Sequence, residues 1–213
     1  AQNFALTGNI DTLQKSTVPY VKPERVLTYE IGYRGIVNKR MFLDIHAYRN
    51  TYEDFIANVN VVTPLLGSID DSSGVLALAS GNSSVYQLAT NAAGTVNSLG
   101  IGVSFEYALT QGFRFNGHYN FATYDIVDAN PELIPGFNTP EHRFGLGLMN
   151  SNVFKGVGFS LRFHWSDSYE WNSAFGNGTV DTYNTVNAQV SYKIPNSKVV
   201  LKLGGNNILG AEY

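Results

Sequence analysis

The sequence predicts an all-β protein in which about eight antiparallel strands form a segment of a transmembrane β-barrel. Three observations support this fold class. Apolar and polar residues alternate with period two over stretches of about ten residues, the length of a strand that crosses a bilayer at a tilt. Short and long connections alternate between these stretches. No stretch of about ten or more residues has the apolar spacing of a helix.

The alternating stretches come in pairs along the chain. In the first pair, odd positions from Leu27 to Val37 and again from Met41 to Ala47 are largely apolar, while even positions include Glu30 and Asp44. The break between them is short, so each pair is predicted to form a β-hairpin. The remaining stretches run at 99–109 and 113–121, at 144–148 and 157–165, and at 186–194 and 199–203.

Charged and polar side chains occupy the second face of the predicted strands. Such a set cannot be buried in a dry interior, because each unpaired charge there costs several kcal/mol. We interpret this face as the lining of a barrel lumen that contains water or a plug, and the opposite face as the surface in contact with lipid. The alternative is a soluble β-sandwich with one face in water. The residues expected to face the lumen are Glu30, Arg34, Glu106, Arg114, Arg143 and Arg162, with His46, His118 and His164 beside them.

The lengths of the connections predict the orientation of the barrel. The segments at 38–40, 110–112, 151–156 and 195–197 are short, whereas those at 57–94, 125–140 and 168–181 are long. Outer-membrane barrels have short periplasmic turns and longer extracellular loops. Both chain ends are then expected on the extracellular side, so residues 1–213 are interpreted as one portion of a larger barrel. A closed eight-stranded barrel is the alternative if residues 1–20 hold an extra strand, although residues 7–17 show no alternation. Loop 57–94, with its aliphatic stretch Val75 to Leu78, is expected to fold over the barrel mouth.

The composition excludes several classes of protein. With no cysteine, disulfide scaffolds, zinc–thiolate sites and thiol nucleophiles are excluded. A net charge of -3 without a basic segment argues against a nucleic-acid partner. A charged fraction of 15% is low, which fits strands with one face toward lipid.

Three segments resemble TonB-dependent outer-membrane transporters. VKPERVLTYEIGYRG at 21–35 resembles the entry to a late barrel strand of that family, YRNTYEDFI at 48–56 fits a further pattern, and LGGNNILGAEY at 203–213 is similar to the segment before the last strand. The resemblance is of a Bacteroidota type. The family-motif positions are Lys22, Pro23, Glu24, Asn206, Asn207 and Tyr213.

The resemblance implies a location in the outer membrane of a Gram-negative bacterium and a role in nutrient uptake. In that family a barrel of about 22 strands encloses a plug domain, and the TonB complex supplies the energy for import. Residues 1–213 contain no plug, no TonB-binding box and no final strand, so they are interpreted as the C-terminal part of the barrel. The implied partners are outer-membrane lipid, the plug, the TonB complex and a surface lipoprotein. The alternative function is a non-transporting surface protein, either an adhesin or a subunit of a larger assembly.

Candidate binding residues lie on a loop and on the polar face. Tyr169, Trp171 and Phe175 offer aromatic rings that would stack on a sugar or another flat ligand, or would anchor the loop. The arginines of the polar face would hold an acidic ligand, or would pair with carboxylates such as Glu30 and Glu106. The identity of the ligand is beyond what the sequence predicts.

Catalysis, metal binding and cofactors are not predicted. The three polar-face histidines lack the local spacing of a metal site. Asp70 and Asp71 lack the bidentate glutamate of a calcium loop, so a solvated loop is expected there. No Ser/His/Asp motif and no paired carboxylates predict an enzyme, and a barrel-embedded protease or lipase is the enzymatic alternative.

Overall fold

The computed structural model of this chain describes residues 9, 11, 13, 15, 17–91, 94–127, 133–134, 137–173 and 176–212. Strands dominate it, as predicted. In chain order the strands are β1 (Arg25–Val37), β2 (Met41–Glu53), β3 (Ile56–Pro64), β4 (Ser83–Asn91), β5 (Thr95–Ala108), β6 (Phe113–Val127), β7 (Leu133–Ile134), β8 (His142–Phe154), β9 (Val157–Ser166), β10 (Tyr169–Ser173), β11 (Gly176–Val180), β12 (Tyr183–Lys193) and β13 (Val200–Gly205). One α-helix, α1 (Ser72–Ala79), interrupts them.

Eight of these strands form one antiparallel sheet in the order β1-β2-β5-β6-β8-β9-β12-β13. They are the eight stretches that the alternation predicts. Short turns join them in pairs, at 38–40, 109–112, 155–156 and 194–199. The two central residues of the first turn, Asn38 and Lys39, have positive φ values of 51° and 58°, which matches the right-handed twist of the flanking strands.

One predicted boundary was wrong. The β8–β9 connection was expected at 151–156, but β8 continues to Phe154 and only Lys155 and Gly156 form the turn. The strand carries an irregularity in its register between Asn150 and Phe154. Such a bulge inserts residues that break the period-two pattern, which is why the sequence suggested a longer turn.

The register places polar and apolar side chains on separate faces through the middle of the sheet, although Arg49 joins Tyr29 and Leu99 in a row of the apolar face toward the long connections. Residues directly opposite in neighbouring strands point to the same side, so a row of paired residues belongs to one face. The polar face contains the row Arg34, Asp44, Ser104, His118, Gly145, His164 and Thr185. The apolar face contains the row Leu43, Phe105, Gly117, Leu146, Phe163 and Val186.

The apolar face is not covered by any other part of the described chain. Ile31 is 77% exposed and Leu203 is 82% exposed, although both are large aliphatic residues. An apolar surface extending over eight strands is far larger than a soluble monomer exposes. The chemistry of this face therefore fits a hydrocarbon environment. Among the described residues, no helix has the length and hydrophobicity needed to cross a bilayer.

The long connections contain secondary structure that the sequence did not predict. Residues 57–94 were expected to be a loop, but they contain β3, α1 and β4, and β3 and β4 pair along their full length. The stretch Val75 to Leu78 lies in α1. We call residues 56–91 the outer unit. Connection 168–181 likewise contains the hairpin β10–β11.

The outer unit has a small hydrophobic core of its own. Ala57 and Val59 from β3 are buried together with Ala77 and Leu78 from α1. The side chain of Asp71 caps the helix by accepting a hydrogen bond of 2.7 Å from the Gly74 N–H. The connection is thus a folded unit beyond the end of the main sheet.

Candidate functional site: the polar face and its outer end

The six charged residues predicted to line the lumen lie on one face of the main sheet. Strand pairing shows that they share a face. For example, one row of paired residues runs from Glu106 through Asn116 and Gly147 to Arg162. The sheet register brings them together, since they come from five different strands. These residues are Glu30, Arg34, Glu106, Arg114, Arg143 and Arg162.

Two of the four arginines have a carboxylate partner. The Arg34 guanidinium contacts Oδ2 of Asp44 through Nε at 2.6 Å and through Nη2 at 2.5 Å. Arg114 Nη1 lies 3.5 Å from Glu106 Oε1. Arg143 and Arg162 have no carboxylate within 4.0 Å in the described part of the chain. The polar face therefore carries two uncompensated guanidinium groups.

Glycines allow large polar side chains to lie across neighbouring strands. A Cβ atom built on Gly100 would collide with the Tyr48 ring, and one on Gly102 would collide with the imidazole of His46. Gly145 has the same relation to two histidines, because its Cβ would lie 2.5 Å from Cε1 of His118 and 2.9 Å from Nδ1 of His164. A side chain at any of these positions would force the ring above it to move.

The two histidines line a cavity of about 450 Å³ at the end of the sheet that bears the long connections. Their ring centroids lie 5.9 Å apart on either side of Gly145. No aspartate or glutamate lines this cavity, so its polar groups are mainly hydrogen-bond donors and hydroxyls. It can thus hold a polar or anionic group. The lining includes His118, Arg143, His164, Ser166, Tyr183 and Thr185.

Residues 137–140 form the outer border of this cavity, and a reciprocal pair of hydrogen bonds holds them in place. Asn138 Nδ2 donates to the Asn172 carbonyl at 3.0 Å, and the Asn172 N–H donates to Asn138 Oδ1 at 2.8 Å. Phe137 also stacks on Phe55 with ring centroids 5.3 Å apart. The sequence did not predict a role for Asn138, because its partner lies 34 residues away. Its only local signal is the Asn-Thr-Pro turn composition.

The predicted loop aromatics are not brought together at this cavity. Tyr169 lines it, whereas Trp171 lies on the exposed surface of β10 and is 46% exposed. Phe175 lies outside the described residues. Only Tyr169 is placed to contact a molecule in the cavity.

A second, larger cavity of about 960 Å³ lies toward the short-turn end of the polar face. Arg162, Lys193 and Lys202 line it, and no carboxylate does. The polar face is thus asymmetric in charge from side to side. Its carboxylates, Glu30, Asp44 and Glu106, lie on β1, β2 and β5. The other five strands have lysine, arginine or histidine but no carboxylate on this face.

The family-motif residues at 22–24 attach the start of β1 to the base of the outer unit. The Lys22 N–H donates to Asn91 Oδ1 at 2.6 Å, and Asn91 Nδ2 donates back to the Lys22 carbonyl at 3.0 Å. Glu24 Oε2 accepts a hydrogen bond of 3.0 Å from the Ile56 N–H. The residues on either side of Pro23 therefore hold the first residue of β3 and the last residue of β4.

The motif residues near the C-terminus form a compact turn. Asn207 has a φ of 47°, and its side chain accepts from the Ala211 N–H at 2.9 Å and donates to the Ala211 carbonyl at 2.8 Å. Asn206 lines the larger cavity. Tyr213 lies outside the described residues.

The candidate metal sites have other structural roles. Asp71 caps α1, and hydrogen bonds from the Ser73 hydroxyl and from the N–H groups of Gly74 and Ser68 lower the pKa of its carboxyl. Asp70 contacts Lys15. In the part of the chain that the structure describes, no three His, Cys, Asp or Glu side chains converge as metal ligands would.

Comparison with known proteins agrees with this geometry. Residues 1–208 match the family described as TonB dependent receptor-like, beta-barrel. No curated protein sequence matches the chain. Three solved structures share the fold: the FrpB iron transporter from Neisseria meningitidis (14% identity, 88% of this chain, 26% of that chain, TM-score 0.60), the copper transporter OprC (16%, 91%, 27%, 0.64) and the ferric-catecholate import receptor Fiu from K12 E. coli (17%, 96%, 27%, 0.61).

This chain spans about a quarter of the length of those structures. At these identities the likeness shows the fold, and the family match covers nearly the whole sequence. Eight long strands with an uncovered apolar face, a charged opposite face and alternating short and long connections are what that family's barrel requires. The chain belongs to the TonB-dependent receptor β-barrel family, whose members reside in the outer membrane of Gram-negative bacteria.

Proposed function

We propose that residues 1–213 form the C-terminal part of a larger plugged barrel, which imports a scarce nutrient across the outer membrane. In the described sheet, β1 pairs only with β2 and β13 only with β12, so both edges have a free row of backbone groups. Unpaired backbone N–H and C=O groups are unfavourable in lipid, so a further strand is needed at each edge of the sheet. A barrel of about 22 strands would supply them.

The observation that carries the proposal is the charged face of the sheet. In hydrocarbon, one Arg or Lys at mid-depth costs about 2 to 4 kcal/mol. The uncompensated guanidinium groups of Arg143 and Arg162 cannot face lipid, and they need water or a polar partner. A lumen that holds water and a plug domain provides both.

The outer end of the lumen is the proposed entry point for the ligand. The donor-rich cavity beside Arg143 lies there, next to the border 137–140 and to Tyr169. The folded outer unit stands on the same side and is held by the segment that leads into β1. Ligand would contact these surfaces before it meets the plug.

The proposed partners follow from this arrangement. The polar face would contact the plug, and the plug would connect to the TonB complex through the part of the protein that precedes this chain. A surface lipoprotein is a further candidate partner at the outer unit. These contacts involve no cofactor and no catalytic step.

The placement of the polar face can be tested by labelling single cysteines, because the chain has none of its own. In the intact protein in cells, a membrane-impermeant maleimide should label Ser160→Cys in β9 after outer-membrane permeabilisation. The matched variant Leu161→Cys should remain unlabelled, since it would face lipid. Equal labelling of the two variants would contradict a lumen lined by the polar face.

Transport itself is tested by uptake in cells. Cells that produce the intact protein should accumulate at least one of a panel of labelled nutrients, comprising ferric chelates, copper and oligosaccharides. Accumulation should stop when the proton-motive force is dissipated. Binding without accumulation would favour the alternative, a non-transporting surface protein or assembly subunit.

A further inference from the structure

Charges are segregated between the two ends of the main sheet. The long connections at 54–94, 128–141 and 167–182 contain no lysine or arginine. The four short turns show the reverse composition, because they contain no aspartate or glutamate. Their cations are Lys39 and Arg40 in the first turn, Lys155 in the third and Lys198 in the fourth. We call these four residues the basic rim.

The tight turns hold the basic rim close to the strand ends. Lys39 occupies a positive-φ position in the three-residue turn 38–40, and Lys155 with Gly156 forms the whole β8–β9 connection. All four rim side chains are exposed. Turns of adjacent hairpins lie about 10 Å apart, twice the strand spacing, which is close to one Debye length in physiological salt. The potentials of Lys155 and Lys198, which lie on adjacent turns, therefore overlap, whereas Lys39 and Arg40 lie two hairpins away and form a separate pair.

Aromatic residues occupy the apolar face just before the rim. Phe113 and Phe159 contact each other with ring centroids 6.1 Å apart, and Tyr107 and Tyr192 lie near the same ends of β5 and β12. The Lys155 ammonium lies 5.1 Å from the centroid of the Phe154 ring, which is 64% exposed. This contact keeps one rim cation at the level of the aromatic band.

An aromatic band followed by cations is the profile of a membrane interface. Aromatic rings locate at the headgroup boundary, and lysine and arginine extend from there toward the headgroups. Anionic lipids attract clustered basic residues that lie beside a membrane segment. No carboxylate on the short turns neutralises the rim or competes with a phosphate.

We propose that the basic rim binds the phosphate headgroups of anionic phospholipids in the periplasmic leaflet. The proposal rests on the orientation given above, with the short turns on the periplasmic side. The lipid would bind along the outside of the barrel, with its acyl chains against the apolar face and its phosphate between rim cations. The protein would thereby select phosphatidylglycerol over phosphatidylethanolamine at this end.

The test measures which lipids remain bound to the intact, purified protein. Native mass spectrometry after incubation with phosphatidylglycerol or phosphatidylethanolamine should show retention of the anionic lipid by about tenfold over the zwitterionic one. The variant K39Q/R40Q/K155Q/K198Q should lose this preference. The half-variants K39Q/R40Q and K155Q/K198Q should each lose part of it, which keeps the test valid if the fourfold variant does not insert.

A matched control removes four cations from the opposite end of the sheet. The variant K15Q/K22Q/R25Q/R49Q changes the net charge by the same amount and should retain the lipid preference. The proposal is wrong if the rim variants keep the preference, or if the control loses it equally. If inorganic phosphate or an acidic periplasmic protein binds to the rim while lipid preference is absent, the surface serves that ligand instead and the lipid assignment fails.

Orientation is checked separately so that the two ideas can fail independently. In whole cells, an impermeant maleimide should label Asp54→Cys and should not label Lys155→Cys. Labelling of Lys155→Cys from outside would overturn the orientation. If the orientation is confirmed but the wild-type protein shows no preference for the anionic lipid, the rim proposal alone is overturned.

Discussion

Replacing Leu161 with arginine puts a charge near the middle of β9, on the apolar face. Leu161 is 45% exposed on that face and lies four residues from the nearer strand end at Val157. Four residues span about 13 Å at 3.3 Å each, or about 10 Å of depth for a tilted strand. An arginine at this depth extends only part of the way to the headgroups. Its cost should be near the midplane value of about 2 to 4 kcal/mol.

This cost is measured against arginine at the neighbouring position. Ser160 is on the polar face of the same strand, so Ser160→Arg should cost no more than about 1 kcal/mol. The assay is folding of the intact protein into lipid vesicles over a urea series, followed by the gel mobility of the folded barrel. Leu161→Arg should lower the folding equilibrium constant by roughly 30-fold to 700-fold, since 1.4 kcal/mol is a factor of ten. Equal effects of the two substitutions would refute the assignment of the faces.

Three further predictions concern the polar face and the connections. Gly145→Val should destabilise the folded protein by about 1 to 3 kcal/mol in the same assay, because the valine side chain would displace the imidazoles of His118 and His164. The control Gly178→Val should have a much smaller effect, because no atom lies within 4 Å of the added Cβ. The pKa of Asp71 is lowered, so its carboxylate stabilises α1 at pH values above the ordinary aspartate pKa, and this stabilisation is lost as the pH falls through the lowered pKa. Over that acidic range, amide exchange in α1 of the wild type should become faster after correction for its intrinsic pH dependence. The variant Asp71→Ala should exchange fast at every pH. Asn138→Ala should remove both hydrogen bonds to Asn172, with a local loss of about 1 to 3 kcal/mol that appears as faster exchange at 137–140, and unchanged exchange there would show that other contacts hold this border.

The main sheet could be predicted from the sequence because its signal is local. In β5, apolar residues from Leu99 to Tyr107 alternate with small or polar ones, and the same alternation fixes which side each residue faces. A shift of one residue in the register of a strand would move every side chain of that strand to the wrong face. The order of strands then follows from short turns between consecutive segments.

The outer unit could not be predicted from the same rule. Its helix has the sequence SSGVLALA, eight residues with a glycine at the third position, and its apolar residues lack a long helical repeat. The strands β3 and β4 pair with each other, and β3 is stabilised further by burial against α1. These are contacts between segments, which local patterns do not encode.

The cavity at the outer end depends on distant contacts in the same way. His118 and His164 come from β6 and β9, and they meet only because the intervening strand has Gly145 at that row. The sequence identifies both as polar-face residues. Their proximity depends on a register that spans three strands and two connections.

Each strand of the main sheet pairs with the one before it in the main-sheet order, and this makes the wall modular. Removing a hairpin such as β8–β9 would leave β6 next to β12, still antiparallel, with the polar side unchanged. Barrel circumference could therefore change by about 10 Å for each hairpin gained or lost, while the chemistry of the inner surface is preserved. Duplication of hairpins is thus a route by which such a wall can evolve to fit cargo of different diameters.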